Sequence, residues 1–199
     1  MQLPDPLSRL IKELTYLPSI GPRQATRLAF HLLGERNRTA SLAQTLEGVL
    51  KIKRCERCDF IHTNEGNLCD ICSSPTRRHD VIMIVEKETD LLSLEQTKRY
   101  NGEYFILGTM PRNGIISDEQ YAKLQKLQKY ITDSLGGNAK EIILALNPTS
   151  SGDFFATTIA KQLQEFTEKI SRLGRGLPTG GEIEFADDET LGSALVNRG

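Results

Sequence analysis

Val81-Ile82-Met83-Ile84-Val85-Glu86 is the stretch that decides the fold. Five consecutive apolar residues, mostly β-branched, are the pattern of a strand buried on both faces, as in a parallel sheet. Parallel strands need long crossovers, usually helical, and the sequence downstream has that form. A helical stretch runs from about Glu88 to Arg99, and Tyr104–Leu107 reads as a second strand. Ser117-Asp118-Glu119-Gln120 is a capping box, opening a helix with Leu124, Leu127, Ile131 and Leu135 on one side and Gly136-Gly137 at its end. Ile142–Leu146 is a third strand. The helix after Asp153 carries Ile159, Leu163, Phe166, Ile170 and Leu173, with Gly174 to stop it. Glu182-Ile183-Glu184-Phe185 alternates as a short fourth strand, and Glu189–Val196 reads as a last short helix suited to docking on a neighbouring subunit. The order βαβαβαβ predicts an α/β layer with a mostly parallel sheet and flanking helices. Function in such sheets gathers at the carboxyl ends of the strands.

Immediately upstream lie all four cysteines of the chain, as Cys55-Glu56-Arg57-Cys58, ten residues, and Cys69-Asp70-Ile71-Cys72. Each C-x2-C knuckle aims two thiolates at one ion, and two knuckles close an all-sulfur tetrahedral site suited to structural Zn²⁺. Such an ion would hold together the segment Lys53–Arg78, which has few apolar residues of its own. Two disulfides or an iron–sulfur cluster are the alternatives; disulfides need an oxidising compartment, of which the sequence carries no sign. His62, between the knuckles, is expected to be a solvated loop residue.

Further upstream the chain is helical. Asp5-Pro6 reads as a helix start, with Leu7, Leu10, Ile11 and Leu14 on one face. The turn Leu17-Pro18-Ser19-Ile20-Gly21-Pro22 leads into a second helix with Ala25, Leu28, Ala29 and Leu32 as its stripe and Gly34 at its end. A third helix near Thr39–Lys51 is expected to bury Leu42, Leu46, Val49 and Leu50. Two helices joined by a tight turn ending in Ile20-Gly21 form a helix-hairpin-helix pattern. Its chemistry is anion capture: glycine lets a backbone amide approach a phosphate, and the next helix presents free N–H groups and a positive dipole end. Arg23 and Arg27 share one helical face beside it. Gly21, Arg23 and Arg27 are therefore candidate contacts to a DNA backbone, without base reading. The usual Gly-x-Gly of this pattern is Ser19-Ile20-Gly21 here, and the serine is expected to restrict the loop.

Charge and length bound the rest. The chain has 199 residues, enough to bury roughly 70% of its unfolded surface. Residues 1–79 hold 12 Lys+Arg against 8 Asp+Glu, and residues 80–199 hold 13 against 18. The front is basic and the back acidic, which suits an anionic partner at one end only. Met-Gln-Leu-Pro-Asp has no secretory character, and the apolar runs are strand-sized, too short to span a membrane; a soluble, cytoplasmic chain is expected. G-x4-G-K-[ST] is absent, so no nucleotide site is expected; Phe185-Ala186-Asp187-Asp188 looks like the acidic end of a Walker B strand without its partner loop.

At the strand ends, Glu86 follows the first strand, and Asn147-Pro148-Thr149 follows the third, with Asp153 beyond. This placement resembles the Toprim domain, in which a glutamate and a later Asp-x-Asp hold Mg²⁺ for phosphoryl transfer. Asn147-Pro148-Thr149 stands where that Asp-x-Asp would be, so a Toprim fold without catalysis is expected. A Mg²⁺-dependent nuclease or relaxase using Glu86 and Asp153 is the alternative, and a monomeric zinc-ribbon module acting on nucleic acid is another.

The combination resembles the bacterial recombination mediator family RecR. The likeness is carried by Leu17-Pro-Ser-Ile-Gly-Pro-Arg23, Arg27–Leu33, the paired knuckles, Glu141–Thr149, and Arg172-Leu-Gly-Arg-Gly-Leu-Pro-Thr-Gly-Gly-Glu-Ile-Glu-Phe-Ala-Asp187. It spans nearly the whole chain and is weakest over Gly108–Ser117. The resemblance implies a helix-hairpin-helix domain (1–53), a four-cysteine zinc module (54–79), a Toprim domain (80–174) and a C-terminal strand-helix tail (175–199). It implies a non-enzymatic homotetramer, a ring that encircles DNA with terminal elements exchanged between subunits. It implies action with RecO and RecF at single-strand gaps, helping RecA replace single-strand-binding protein. Arg23 and Arg27 match the family's DNA-contacting positions, and Glu86, Asn147 and Asp153 lie on its partner-binding face. The family usually has Glu-Gly-Glu/Asp after Asn-Pro-Thr, where this chain has Ser151-Gly152-Asp153.

Overall fold

The computed structural model describes residues 3–111, 115–196 and 198; Arg112, Asn113 and Gly114, within the stretch least like the RecR pattern, lie outside them. The chain divides between Ile52 and Lys53 into two compact units.

The first unit is three helices: α1 (Asp5–Thr15), α2 (Pro22–Gly34) and α3 (Arg36–Val49). Pro4 rather than Asp5 caps α1, leaving Asp5 in the first turn, where its charge suits the helix dipole. Leu7, Leu10, Ile11 and Leu14 are half-buried, and Ala25 and Ala29 of α2 are fully buried, so the two expected stripes pack on each other. The third expectation fails. Leu42, Leu46, Val49 and Leu50 are exposed, Leu46 by 57% and Leu50 by 85%. The stripes of α1 and α2 are already spent on one another, and α3 is tied to α2 near its start, where Thr39 Oγ1 donates to the Leu32 carbonyl at 2.6 Å.

The second unit opens with the cysteine segment: the antiparallel pair β1 (Lys53–Arg54) and β2 (Ile61–His62), then the short α4 (Asp70–Ser73). His62 is buried rather than solvated. Its Nδ1 accepts from the Asn64 N–H at 3.2 Å, and its Nε2 has no hydrogen-bond partner among the described residues. The remaining elements are β3 (Arg78–Val85), α5 (Glu88–Gln96), β4 (Gly102–Ile106), α6 (Asp118–Ser134), β5 (Glu141–Ala145), α7 (Ser150–Leu163), β6 (Ile170–Arg172) and α8 (Asp188–Val196). The four long-range strands form one sheet in the order β4-β3-β5-β6, every pair parallel.

The fourth strand is a correction. The helical stripe was expected to run from Ile159 to Leu173, yet α7 ends at Leu163, a 3-10 turn follows at Gln164–Phe166, and Ile170–Arg172 pairs with β5. Thr167 is already extended, at φ −153° and ψ 147°, and the open edge of β5 supplies ladder partners that a helix would forgo. Glu182–Phe185, expected as the fourth strand, has no such edge and forms a 3-10 turn over Ile183–Phe185.

Side chains of the sheet alternate between two covered faces. Ile82, Ile84, Phe105, Ile142 and Leu144 pack with Leu124, Leu127 and Ile131 of α6 and with Phe155, Ile159 and Leu163 of α7. Met83, Val85, Tyr104 and Ile106 pack with Leu91 of α5 and with Phe60 and Ile71 of the cysteine segment. That segment is thus part of the layer covering the sheet. Among the described residues no helix is long and apolar enough to cross a membrane.

Candidate functional site

In the hairpin unit, the turn between α1 and α2 has an anion-ready geometry. Gly21 is the N-cap of α2, Pro22 lacks an N–H, and no side chain caps the helix. The first intrahelical bond runs from the Ala25 N–H to the Gly21 carbonyl at 2.9 Å, leaving the Arg23 and Gln24 amides for an outside acceptor. Gly21 has an ordinary φ of −82°, and a Cβ there would meet no atom of the chain within 4 Å. Neither conformation nor packing of the chain itself asks for glycine at this position. Ser19 has φ +67°, so the serine itself takes the left-handed conformation that glycine adopts without strain. Arg23 and Arg27 are exposed and make no ion pair among the described residues.

In the second unit, Cys55, Cys58, Cys69 and Cys72 converge. All four are free and buried, and their sulfurs lie within 4.8 Å of one another. The Cys58 and Cys69 sulfurs are 3.5 Å apart, far beyond a disulfide bond and near the spacing of about 3.8 Å that four tetrahedral ligands at about 2.3 Å from one ion require. Backbone N–H groups point at the sulfurs, Phe60 to Cys58 Sγ and Cys69 to Cys55 Sγ, each at 3.4 Å, as suits thiolate acceptors. The four cannot ionise together unaided. Cys55 is pushed down, first by its hydrogen bond with Cys58 and then by those with Cys69 and Cys72. Cys72 is pushed up by its contacts with Cys55, Cys58 and Cys69 and by burial. A cation relieves that mutual opposition. The donor set therefore fits a metal ion with no open coordination position.

The carboxyl edge of the sheet holds the third group. β3 leads to β4 on one side and β5 returns on the other, so the ends of β3 and β5 flank the point where strand order reverses. Glu86 follows β3 and Asn147 follows β5. Glu86 is 5% exposed rather than a solvated strand-end carboxylate. Its Oε1 accepts from the Asn147 backbone N–H at 3.0 Å and from Asn147 Nδ2 at 2.9 Å. Thr149 caps α7, accepting from the Gly152 N–H at 3.1 Å. Gly152 is required, because a Cβ there would collide with the Asn147 carbonyl oxygen. Asp153, in the first turn of α7, is bound elsewhere: its carboxylate accepts from Arg172 and Arg175, and Arg175 also reaches Glu189 of α8 at 3.4 Å. Arg175 and then Arg172 hold the Asp153 carboxyl below the ordinary carboxylate range.

Glu86 and Asn147 are thus brought together, whereas Asp153 belongs to an ion cluster with the tail. Arg172 and Arg175 were missed in the sequence because their partner lies 19 and 22 residues away, with no periodicity linking them. Arg57 and Glu103 were missed as well. Arg57 Nη1 bonds Glu103 Oε1 at 2.5 Å, but a charged residue inside a knuckle reads like any solvated one.

Comparisons with known proteins agree with this layout. The model of the RecR helix-hairpin-helix matches residues 7–50, that of the Toprim domain residues 80–174, and that of the RecR C-terminal region residues 176–198. A protein named recombination protein RecR from Rubrobacter xylanophilus is 38% identical over 196 residues, covering 96% of this chain and 95% of the relative. The protein of the same name from Gloeobacter violaceus is 38% identical over 197 residues, covering 97% and 96%. That of Lactococcus lactis is 37% identical over 204 residues, covering 100% and 98%. With the likeness extending over both units and the tail, the chain belongs to the RecR family of recombination proteins.

Proposed function

We propose that this chain is a non-catalytic, DNA-binding recombination mediator in DNA repair. Four chains form a ring-shaped clamp that acts with RecO and RecF at single-strand gaps and promotes RecA loading in the bacterial cytoplasm. The observation that most supports a non-catalytic role is the Asn147–Glu86 pair. A catalytic Toprim edge leaves its glutamate to a cation beside further carboxylates. Here an amide and a backbone N–H both engage Glu86 Oε1, and two guanidinium groups take Asp153, which disfavours the nuclease reading.

Roles divide along the chain in this reading. Residues 1–53 bind DNA phosphates through the amides after Gly21 and through Arg23 and Arg27. Residues 54–79 hold one structural Zn²⁺ on Cys55, Cys58, Cys69 and Cys72, where the ion supplies cross-linking and no reaction. Residues 80–174 present Asn147 and Asp153 to RecO and RecF, with the buried Glu86 holding Asn147 in place. Residues 175–199 take part in subunit contacts. The exposed Leu46 and Val49 of α3 and Leu50 just beyond it are suited to burial in such an assembly.

Salt titration of binding to a gapped duplex, followed by fluorescence anisotropy, tests the DNA contacts. Arg23→Glu and Arg27→Glu should each weaken binding and lower the slope of log affinity against log salt by about 1. An unchanged slope in both variants would contradict the assignment.

A further inference from the structure

Arg57 occupies an unusual place for a charged residue. It sits inside the first knuckle, between Cys55 and Cys58, yet its side chain is only 24% exposed. Nη1 donates to the Cys72 carbonyl at 2.9 Å, so a side chain from the first knuckle is bonded to the second. The same nitrogen reaches Glu103 Oε1 at 2.5 Å, and the guanidinium carbon lies 4.8 Å from the centre of the Tyr130 ring. Glu103 belongs to β4, and its side chain is 2% exposed. Its other donors are Tyr130 Oη, at 3.0 Å from Oε2, and His79 Nδ1, at 2.5 Å from Oε1.

β4 is an edge strand of the sheet. The knuckle also engages its backbone, with the Ile106 N–H donating to the Cys58 carbonyl at 2.9 Å. Phe60 and Ile71 pack both on the four cysteines and on Met83, Val85, Tyr104 and Ile106. The cysteine loop is therefore held from two sides, by the ligands within and by Arg57 and the strand edge without.

We propose that Arg57 is a positioning residue for the metal: it bonds both knuckles to Glu103, so that metal affinity and docking of the loop on β4 are coupled. The coupling is reciprocal by thermodynamic necessity: whatever factor docking adds to metal affinity, the metal adds to docking. This inference rests on reading the four cysteines as a zinc site. Groups that orient ligands from outside commonly change metal affinity about 10- to 100-fold when removed, and Arg57 is expected to fall in that range.

Two measurements on the full-length protein test it. The first is competition for zinc with a chromogenic chelator, for the parent, Arg57→Met, Glu103→Gln and the double variant, with the visible spectrum of the cobalt-loaded forms. Arg57→Met should lose zinc at about 10- to 100-fold lower chelator concentration and broaden the cobalt bands. The double variant should lose little beyond Arg57→Met, because both changes remove one shared bond. A folded Arg57→Met protein with parental zinc affinity and cobalt spectrum would overturn the proposal. The second needs no variant, and so stands if Arg57→Met fails to fold. Zinc removal from the parent should speed hydrogen exchange at the Ile106 amide at least about tenfold, leaving Ile142 in the centre of the sheet protected. Equal Ile106 protection with and without zinc, or loss of protection at both amides alike, would overturn it. A parent that takes up no zinc would instead sink the metal reading, an outcome distinct from zinc uptake without coupling.

Discussion

Asn147 decides the chemistry of the sheet edge. Its backbone N–H and its side-chain amide both donate to Oε1 of the buried Glu86. Asn147→Asp would remove one donor and set a second carboxylate against the first. We expect it to destabilise the fold by about 1–3 kcal/mol at pH 7, as read from denaturant midpoints. An Asn147→Asp protein as stable as the parent at pH 7 would contradict this role of Asn147. The identity of these residues was legible in the sequence, as were their positions after two strands. Their pairing was not, because it depends on β3 and β5 being sheet neighbours across 61 residues. The hairpin turn shows the same division. Its glycine and arginines stand out in the sequence, while the left-handed Ser19 emerges only from the closed turn, where it costs about 1 kcal/mol relative to glycine.

Elements were legible where burial writes a pattern. The run Val81–Val85 fixes β3, and the capping box fixes the start of α6, where Ser117 Oγ accepts from the Gln120 N–H at 3.2 Å. β6 was not legible, because Phe166, Ile170 and Leu173 continue a helical spacing from Ile159, and only the edge of β5 decides otherwise. The tail is set by ions rather than by pattern: Arg175 joins Asp153 of α7 to Glu189 of α8. Its pH dependence follows from the lowered Asp153 carboxyl. A depressed native value means that the contact contributes fully above the ordinary Asp value of 3.8 and is lost as pH falls through the native one. Arg175→Ala should therefore melt below the parent at pH 7 and above, and the two melting curves should converge in acid, once Asp153 is protonated. A gap that persists unchanged below the native value would place the effect of Arg175 elsewhere.

At the scale of the whole molecule, large apolar side chains stand exposed on α3 and α8. Leu46 and Val49 of α3, Leu50 just beyond it and Val196 of α8 are each more than half exposed, and exchange of elements between subunits in the proposed ring would cover them. Light scattering should give a solution mass near four times the 22.2 kDa of one chain, and Leu46→Asp should reduce it. A parental mass near one chain would favour a monomeric zinc-ribbon module instead. The exposure of the α3 stripe was not legible in the sequence, since apolar spacing on a helix reads the same whether its cover comes from one chain or several.

On the proposed reading the protein is a clamp that holds DNA without cutting it. Supercoiled plasmid and a gapped duplex incubated with the protein in Mg²⁺ or Mn²⁺, beside a Glu86→Ala control, test it most directly. A clamp should retain the DNA and never nick it, in parent and control alike. Cleavage that disappears with Glu86→Ala would mean a working metal-dependent site, and would contradict it.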